Sequence, residues 1–435
     1  MMDNLLESVK LKEIALIGDG AHASLKRENS GILYLTSKNF KQDGISLDTV
    51  DYISEETYQK YFKEKSKALT KPRENDILLS IIGTMGAPYI VKKDDIFGLS
   101  SSVSIIRPNN EIVDSKYLYY WIKSPMFQGS IESIKSGVAQ SFLSLPMIGS
   151  LPIKYPKDLN HQKKIAKILS NYDDLIENNL KQIKLLEEKA RLTYEEWFLR
   201  FRINGQKLEI DENTGLPFRW EKQRLESLID YHIGGGWGEE EQSDEFSKPA
   251  FVIRGTDFNN VQVGSLENVP YRYHKLSNLS SRNLKHKDII FEVSGGSSTE
   301  GVAKTLQLNR ILLDQFDNQV MCASFCKLVR TKSEDYSNLL FLFLQYLRYT
   351  RETEVYELRG ASNIVNYNWS AFLKFQEIII SDIKTIKLFN LKIDPIIDSI
   401  YNFAKKNQLL KESRDILLPR LMTGMIDVDK MDIEV

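Results

Sequence analysis

Two long stretches of the chain carry apolar residues on one helical face and polar residues on the other. Residues 161–199, HQKKIAKILSNYDDLIENNLKQIKLLEEKARLTYEEWFL, contain neither proline nor glycine and repeat apolar positions with a helical period. Residues 391–418 repeat the pattern, with Pro395 near their start, where a missing amide hydrogen and a fixed φ are tolerated. The pattern predicts two long amphipathic helices of similar length.

The apolar stripes of both predicted helices also fit heptad repeats. We predict that the two helices pair antiparallel, although the pattern leaves open that each stripe packs only on its own globular domain. Placing Asn179 opposite Asn407 aligns the other layers apolar against apolar, whereas a different register would turn either amide to solvent. The predicted helix-pairing positions are Leu169, Tyr172, Ile176, Asn179, Ile183, Leu186, Ile400, Phe403, Asn407, Leu410, Arg414 and Leu417, with Tyr172 facing Arg414 as a cation–π pair.

The regions before the two helices resemble each other, which indicates an internal duplication. ILYLTSKNF at 32–40 is similar to AFVIRGTDF at 250–258, and ENDILL at 74–79 is similar to HKDIIF at 286–291. SKYLYYWI from Ser115 and SGVAQ from Ser136 correspond in the same order to SNLLFLFL from Ser337 and RGASN from Arg359. Each copy mixes β-branched and aromatic runs with turn residues, so the same strand order is expected in both.

These patterns predict an α+β protein in which two duplicated α/β-type domains, related by a pseudo-twofold, are separated by two long antiparallel helices. The predicted boundaries are 1–156 for the first domain, 157–202 for the central helix, 203–217 for a linker, 218–382 for the second domain and 383–435 for the C-terminal helix and tail.

Composition is that of an ordinary globular protein, with 42% hydrophobic and 27% charged residues. The chain has 58 basic and 59 acidic residues, so any DNA binding must be local or shared with a partner. No apolar run is long enough to span a bilayer and the N-terminus does not resemble a signal peptide, so we expect a cytoplasmic protein without a membrane.

Motifs that would indicate catalysis or a metal site are missing. The sequence has no phosphate-binding loop, no HExxH, no GxSxG and no helix-opening GxGxxG, and none of its 12 prolines adjoins another, as the tetrapeptide of amino-methyltransferases requires. The five histidines are scattered, and Cys322 and Cys326 lie in a strand-like run that favours core packing over metal binding. We therefore expect no catalytic residue and no metal ligand in this chain.

Glycine-rich loops occur at similar places in the two copies. Gly83 and Gly86 lie in the first, and Gly295 and Gly296 lie in the second. The glycines are suited to positive φ in hairpins, and the same loops would also let backbone amides approach phosphate oxygens. The same glycines could serve both the hairpin turn and the approach to phosphate.

The helix motifs resemble those of a known family, the specificity subunits of type I restriction-modification systems. HQKKIAKIL, preceded by LPIKYPKDLN, is similar to the start of the family's central helix, and DILLPRLMTGMIDV is similar to its C-terminal close. The stretch before the second helix, KFQEIIISDIKTIKLFN, lacks counterparts of Pro156 and Gln162, which puts the start of that helix in doubt.

The resemblance implies a non-catalytic subunit that reads a bipartite site in double-stranded DNA, one target-recognition domain per half-site. Its implied partners are two methyltransferase subunits and, for restriction, nuclease subunits. S-adenosylmethionine, ATP and Mg²⁺ would belong to those partners, leaving this chain without a cofactor. A methyltransferase fused to its recognition domain and a coiled-coil scaffold without a DNA role are the alternatives, which assays of methylation and of sequence-specific DNA retardation would distinguish.

Polar residues that follow the predicted strands are the candidates for DNA contact. Arginine and lysine reach guanine or phosphate, aspartate accepts from cytosine, and hydroxyl groups serve either, although each residue could equally be a solvated loop residue. The candidates are Ser37, Lys38, Lys41, Arg254, Asp257, Ser297 and Thr299.

Overall fold

The computed structural model describes residues 6–41, 44–47, 49–64, 68–137, 142–296, 301–360 and 364–433. The chain forms two compact units. Unit 1 consists of Met1–Asp174 together with Lys411–Val435, and unit 2 consists of Leu175–Leu410. Each long helix therefore contributes residues to both units.

Unit 1 is built from a four-stranded antiparallel sheet, a three-stranded sheet and a strand pair that leads into the long helix. The strand orders are β2-β10-β7-β8 and β6-β3-β9, with β3 parallel to β9, and β1 pairs with β11. Its elements are β1 (Leu6–Lys10), α1 (Leu11–Ile14), β2 (Ala15–Asp19), β3 (Ile32–Leu35), β4 (Phe40–Lys41), β5 (Gly44–Ile45), β6 (Asp51–Ile53), α2 (Glu55–Tyr61), β7 (Ile77–Ser80), β8 (Pro88–Ile90), β9 (Phe97–Leu99), β10 (Val103–Pro108), α3 (Ser115–Lys123), α4 (Pro125–Gly137), α5 (Leu145–Ser150), β11 (Pro152–Pro156) and the start of α6 (Leu159–Tyr194).

In unit 2 the chain forms two short hairpins after the end of α6, where the sequence predicted only a linker. The hairpins are β12 (Arg202–Ile203) with β13 (Gln206–Lys207), and β14 (Ile210–Asp211) with β15 (Leu216–Pro217). The further elements are β16 (Glu221–Arg224), β17 (Ile229–Gly234), β18 (Lys248–Ile253), α7 (Phe258–Gln262), β19 (Tyr271–His274), α8 (Leu276–Arg282), β20 (Ile289–Glu292), β21 (Ser294–Gly295), β22 (Thr305–Gln307), α9 (Arg310–Leu313), β23 (Val320–Cys322), β24 (Cys326–Thr331), α10 (Ser337–Tyr349), β25 (Glu357–Arg359), β26 (Val365–Tyr367), α11 (Trp369–Phe375), β27 (Glu377–Ile380) and α12 (Ile383–Met422).

The strand order of unit 1 recurs in unit 2, which confirms the predicted duplication. The orders are β17-β24-β20-β22 and β19-β18-β23, with β18 parallel to β23, and β16 pairs with β27. A buried ion pair recurs as well. In unit 1, Arg107 binds both carboxylate oxygens of Asp76 at 2.8 and 2.6 Å, and in unit 2 Arg330 binds Asp288 in the same way at 2.7 and 2.6 Å. Both aspartates lie in the matched segments ENDILL and HKDIIF, so the similarity reflects a shared three-dimensional feature.

The first long helix follows the prediction closely, whereas the second begins before the segment 391–418 in which the apolar pattern indicated a helix. Helix α6 continues through a π-helical turn at Glu195–Leu199. Helix α12 begins at Ile383 and not at Leu391, because the Asp382 carboxylate accepts hydrogen bonds from the backbone amides of Lys384 and Thr385 at 3.0 and 3.2 Å. Pro395 therefore lies inside the helix, where it removes one backbone hydrogen bond.

Within unit 2 the two helices run antiparallel in the predicted register. The Asn179 side chain donates to Asn407 Oδ1 at 2.9 Å, and both residues are buried. Trp197 follows Asn179 by as many residues as Phe389 precedes Asn407. The rings of Trp197 and Phe389 lie 5.5 Å apart, as this register requires. Ile183, Ile396 and Ile400 lie in the same buried cluster, with Leu186 and Phe403 packed against it.

Within unit 1 the predicted contact between Tyr172 and Arg414 is wrong by one residue. Arg414 donates to the Asp173 carboxylate at 2.5 Å, and Tyr120 of α3 donates to the same carboxylate at 2.7 Å. The guanidinium is buried, and a carboxylate satisfies its charge and hydrogen bonds better than a ring face does. Leu169 is fully buried in the apolar cluster of this unit, with Leu417 packed against it.

Removing one amide of the asparagine pair is expected to destabilise the protein. Asn407→Leu would leave the buried Asn179 amide without its partner, at a cost of about 1–3 kcal/mol in the free energy of unfolding. The double variant Asn179→Leu/Asn407→Leu should recover most of that loss, because two apolar groups then replace the hydrogen-bonded pair. Urea unfolding of the full chain measures both effects. The matched control is Asn178→Leu at an exposed neighbour, and a single variant as stable as that control would contradict the buried pair.

Candidate nucleic-acid interface

Several loops meet at one end of the sheets in unit 2, because the strands that precede them end side by side. The amide of Gly235, just after β17, donates to the Cys326 carbonyl at 2.9 Å, and that of Gly236 donates to the Cys322 carbonyl at 3.0 Å. The amide of Val293, just after β20, donates to the Phe325 carbonyl at 2.9 Å. We call this region loop end 2; its described residues are 235–238, 254–257, 293–296 and 323–325.

Unit 1 has the same arrangement, built from equivalent hydrogen bonds. Gly20 and Ala21 donate to the carbonyls of Val103 and Leu99 at 3.2 and 2.8 Å, and Ile81 donates to the Ser102 carbonyl at 3.0 Å. We call this region loop end 1; it comprises 19–22, 36–39, 81–86 and 100–102. The two loop ends are thus duplicated surfaces. In each of them paired strands hold loops that carry polar side chains.

Glycines allow the loops to approach the neighbouring backbone at both places. A Cβ atom on Gly235 would lie 2.2 Å from the Ala323 and Cys322 carbonyl oxygens, and one on Gly20 would lie 2.1 Å from the Leu99 oxygen. Gly83 and Gly86 in loop end 1 and Gly295 and Gly296 in loop end 2 have positive φ, as predicted for hairpin glycines.

The predicted contact residues of unit 1 lie at or beside loop end 1. Ser37 and Lys38 form a 3₁₀ turn that is held by Asn39, whose Oδ1 accepts from the Thr36 amide at 3.0 Å and whose Nδ2 donates to the Ser46 and Thr49 carbonyls. The Ser37 amide donates to Ser102 Oγ at 2.9 Å. Lys38 and, on β4, Lys41 are exposed. The buried Asn39 thus fixes a turn that displays Lys38 to solvent.

In unit 2, Arg254 and Asp257 bind each other, which corrects the expectation that Asp257 would contact a base. The Arg254 side chain donates to both oxygens of Asp257 at 2.9 and 2.8 Å, and its backbone amide donates to Oδ2 at 2.9 Å. Asp257 is buried, so its carboxylate caps the turn after β18, as Asn39 does after β3. The Arg254 guanidinium also donates to the Asn268 carbonyl and remains partly exposed. Ser297 and Thr299 lie outside the described residues.

Sequence reasoning missed two aromatic residues of loop end 2. Trp237 is 39% exposed, and the guanidinium of Arg272 lies 4.7 Å from the centre of its ring. Phe325 is 61% exposed on the turn between β23 and β24. Trp237 follows three glycines directly, and an aromatic residue after a glycine run was the signal available in the sequence.

The cysteines pack in the core of unit 2. Cys322 and Cys326 are both fully buried, and burial raises the pKa of the Cys322 thiol to about 12. In the described part of the chain no three histidine, cysteine or carboxylate side chains converge as a metal site would require. None of the described helices has an apolar stretch long enough to cross a bilayer.

Comparison with known proteins finds similarity to restriction enzyme specificity subunits along most of the chain. Residues 5–188 match the type I restriction modification DNA specificity domain. The MjaIX type I restriction enzyme specificity subunit of Methanocaldococcus jannaschii is 25% identical over 441 residues, which cover 97% of this chain and 94% of the relative. The HindI specificity subunit of Haemophilus influenzae is 23% identical, covering 81% of this chain and 87% of that protein.

The fold is also found in a solved structure. The crystal structure of the S subunit of a type I restriction-modification system from M. genitalium covers 96% of both chains with a TM-score of 0.52 and 13% sequence identity. The chain is therefore similar to type I restriction enzyme specificity subunits over most of its length, and its fold is that of the S-subunit structure.

Proposed function

We propose that this chain is the DNA-recognition subunit of a type I restriction-modification complex and reads a bipartite target, with one loop end per half-site. The observation that carries the proposal is the recurrence of the loop end. Both units present loops through the same backbone hydrogen bonds, yet the side chains on those loops differ. A duplicated scaffold with different loops suits two half-sites of different sequence.

The long helices suit an unread spacer between the half-sites. Helix α6 has 36 residues, so it is about 54 Å long at 1.5 Å per residue, which exceeds one turn of B-DNA at roughly 34 Å. In this proposal the helices hold the two recognition surfaces far enough apart for each to reach a separate major groove.

The chemistry of modification is assigned to other subunits. Two methyltransferase subunits would supply S-adenosylmethionine chemistry and nuclease subunits would supply ATP- and Mg²⁺-dependent steps, while this chain contributes recognition and positioning. The near balance of 58 basic and 59 acidic residues supports this division, since partner subunits would share the contact with the phosphate backbone.

Selection of preferred sequences from a random duplex pool tests the proposal. The full chain, assembled with its methyltransferase subunits, should retain duplexes that share two short motifs at a fixed separation. A pool without sequence preference, with or without those subunits, would contradict it and favour a scaffold role.

Lys38 is expected to contribute a phosphate contact. Lys38→Ala should weaken binding of the selected duplex several-fold and reduce the slope of log affinity against log salt by about one, with the sequence preference unchanged. The control is Lys60→Ala, an exposed lysine of α2, which follows β6 at the opposite end of the sheet from loop end 1. Equal salt slopes for wild type and Lys38→Ala would show that Lys38 makes no phosphate contact.

A further inference from the structure

The two loop ends differ in chemistry at one structurally equivalent position. Ser102 in unit 1 and Phe325 in unit 2 each immediately precede the strand at the centre of the four-stranded sheet, β10 or β24. Their carbonyl oxygens accept equivalent hydrogen bonds, from Ile81 at 3.0 Å and from Val293 at 2.9 Å. The backbone is therefore the same, and the side chain is what distinguishes the two copies.

The serine of unit 1 is engaged within the protein. Ser102 Oγ accepts from the Ser37 amide at 2.9 Å and lies 2.5 Å from Ser100 Oγ. At this position loop end 1 thus carries two half-buried hydroxyl groups that bind each other and the neighbouring turn.

The phenylalanine of unit 2 points to solvent from a fixed turn. Its carbonyl also accepts from the Ser294 amide at 3.2 Å, and the next residue, the fully buried Cys326, donates its amide to the Ala323 carbonyl at 2.9 Å. In the described part of the chain, the Phe325 ring makes no stacking or cation–π contact, although it is 61% exposed. A hydrogen-bonded turn that displays a largely exposed ring is already arranged for contact with a ligand.

Single exposed apolar residues are common on protein surfaces, so exposure alone carries little weight. Phe325 differs from such residues because it lies on the loop end, between the glycine loop at 294–296 and the loop that carries Trp237. In the major groove the apolar group that a base presents is the C5 methyl of thymine, and phenylalanine is one of the side chains that contact it.

We propose that Phe325 is a specificity-determining residue that packs against a thymine methyl group in the half-site read by unit 2, whereas the equivalent position of unit 1 has a serine that binds within its own loop end. This inference rests on the proposed function of the loop ends in DNA recognition. Beyond that function, it specifies the base and the methyl group that are contacted, and it predicts that the two half-sites differ at this contact.

Replacement of thymine by deoxyuridine, which lacks only the methyl group, tests the contact. Each thymine of the selected duplex is replaced in turn, and affinity is measured for the wild-type complex and for Phe325→Ser, which carries the residue type of unit 1. At one position deoxyuridine should weaken wild-type binding about four-fold, the equivalent of about 0.8 kcal/mol for one buried methyl group. Phe325→Ser should lose that difference, and Phe325→Leu should retain part of it.

The matched control is Phe375→Ser. Phe375 is 64% exposed, and its neighbour Gln376 accepts a hydrogen bond from Leu225, before the start of β17 and away from loop end 2. This variant should show the full wild-type deoxyuridine penalty. Thermal unfolding of Phe325→Ser is expected to match that of wild type, because the ring is exposed.

Three results would overturn the inference. The loss of affinity caused by deoxyuridine could be equal in wild type and Phe325→Ser, or deoxyuridine could leave wild-type affinity unchanged at every position. Alternatively, Phe325→Ser could lose the same affinity on every duplex. The last would indicate insertion of the ring between base pairs. A wild-type complex without any preferred sequence would instead contradict the proposed function itself.

Discussion

Replacing Arg414 with methionine is expected to destabilise the protein by about 3 kcal/mol at neutral pH, because the partly buried Asp173 carboxylate loses its principal partner. Methionine fills a similar volume without the charge. Burial alone would raise the pKa of Asp173, but the positive charges of Lys123 and Arg414 and hydrogen bonds from Tyr120 and Arg414 hold that pKa below its usual value. The pair therefore stabilises the folded chain while Asp173 is ionised.

The destabilisation should depend on pH in a defined direction. A carboxyl group with a lowered pKa in the folded state contributes stability above its unfolded pKa of roughly 3.9, and the contribution is lost as the pH falls towards the folded pKa. The difference between wild type and Arg414→Met should consequently shrink below about pH 4. Urea unfolding of the full chain at several pH values measures it.

The control for this prediction is Lys181→Met on α6, the helix that carries Asp173. Lys181 and Glu177 form an ion pair whose side chains are 69% and 43% exposed, so its loss should change stability by less than about 0.5 kcal/mol. A loss for Arg414→Met no greater than for Lys181→Met would show that the Asp173 contact contributes little.

The second large effect is expected at Gly235. An alanine Cβ there would lie 2.2 Å from two carbonyl oxygens, so the loop that carries Trp237 must move away from the turn that carries Phe325. We expect Gly235→Ala to lower DNA affinity by at least about ten-fold, or 1.4 kcal/mol, if loop end 2 contacts DNA.

The neighbouring glycine provides the control. A Cβ on Gly234 would meet nothing within 4 Å, so Gly234→Ala should bind as wild type does. Gly20→Ala, which meets the Leu99 carbonyl, should weaken binding through loop end 1 instead. Equal affinities for Gly234→Ala and Gly235→Ala would argue against a role of this loop in binding.

The periodic parts of the sequence predicted the fold well. An apolar stripe and a lone asparagine on each seam contain enough information to align Asn179 with Asn407, because a buried amide needs a polar partner. The start of α12 was harder to predict, since Pro395 resembles a first-turn proline, while the capping carboxylate of Asp382 has no periodic signature.

The candidate site was predictable only in its location. Strand ends placed Ser37 and Arg254 correctly on loops, but the pairing of Arg254 with Asp257 depends on a turn geometry that spacing alone does not reveal. Phe325 was missed because it lies between two buried cysteines in a strand-like run, and its exposure emerges only from the turn between β23 and β24.

Single-molecule sequencing of methylated adenines tests the central claim most directly. Cells would express the methyltransferase subunits with wild-type chain, with Gly20→Ala or with Gly235→Ala. We predict that wild type yields one bipartite motif, and that each variant reduces methylation at that motif while Gly234→Ala does not. A methylation pattern that is the same with and without this chain would contradict the claim that it directs the complex to its target.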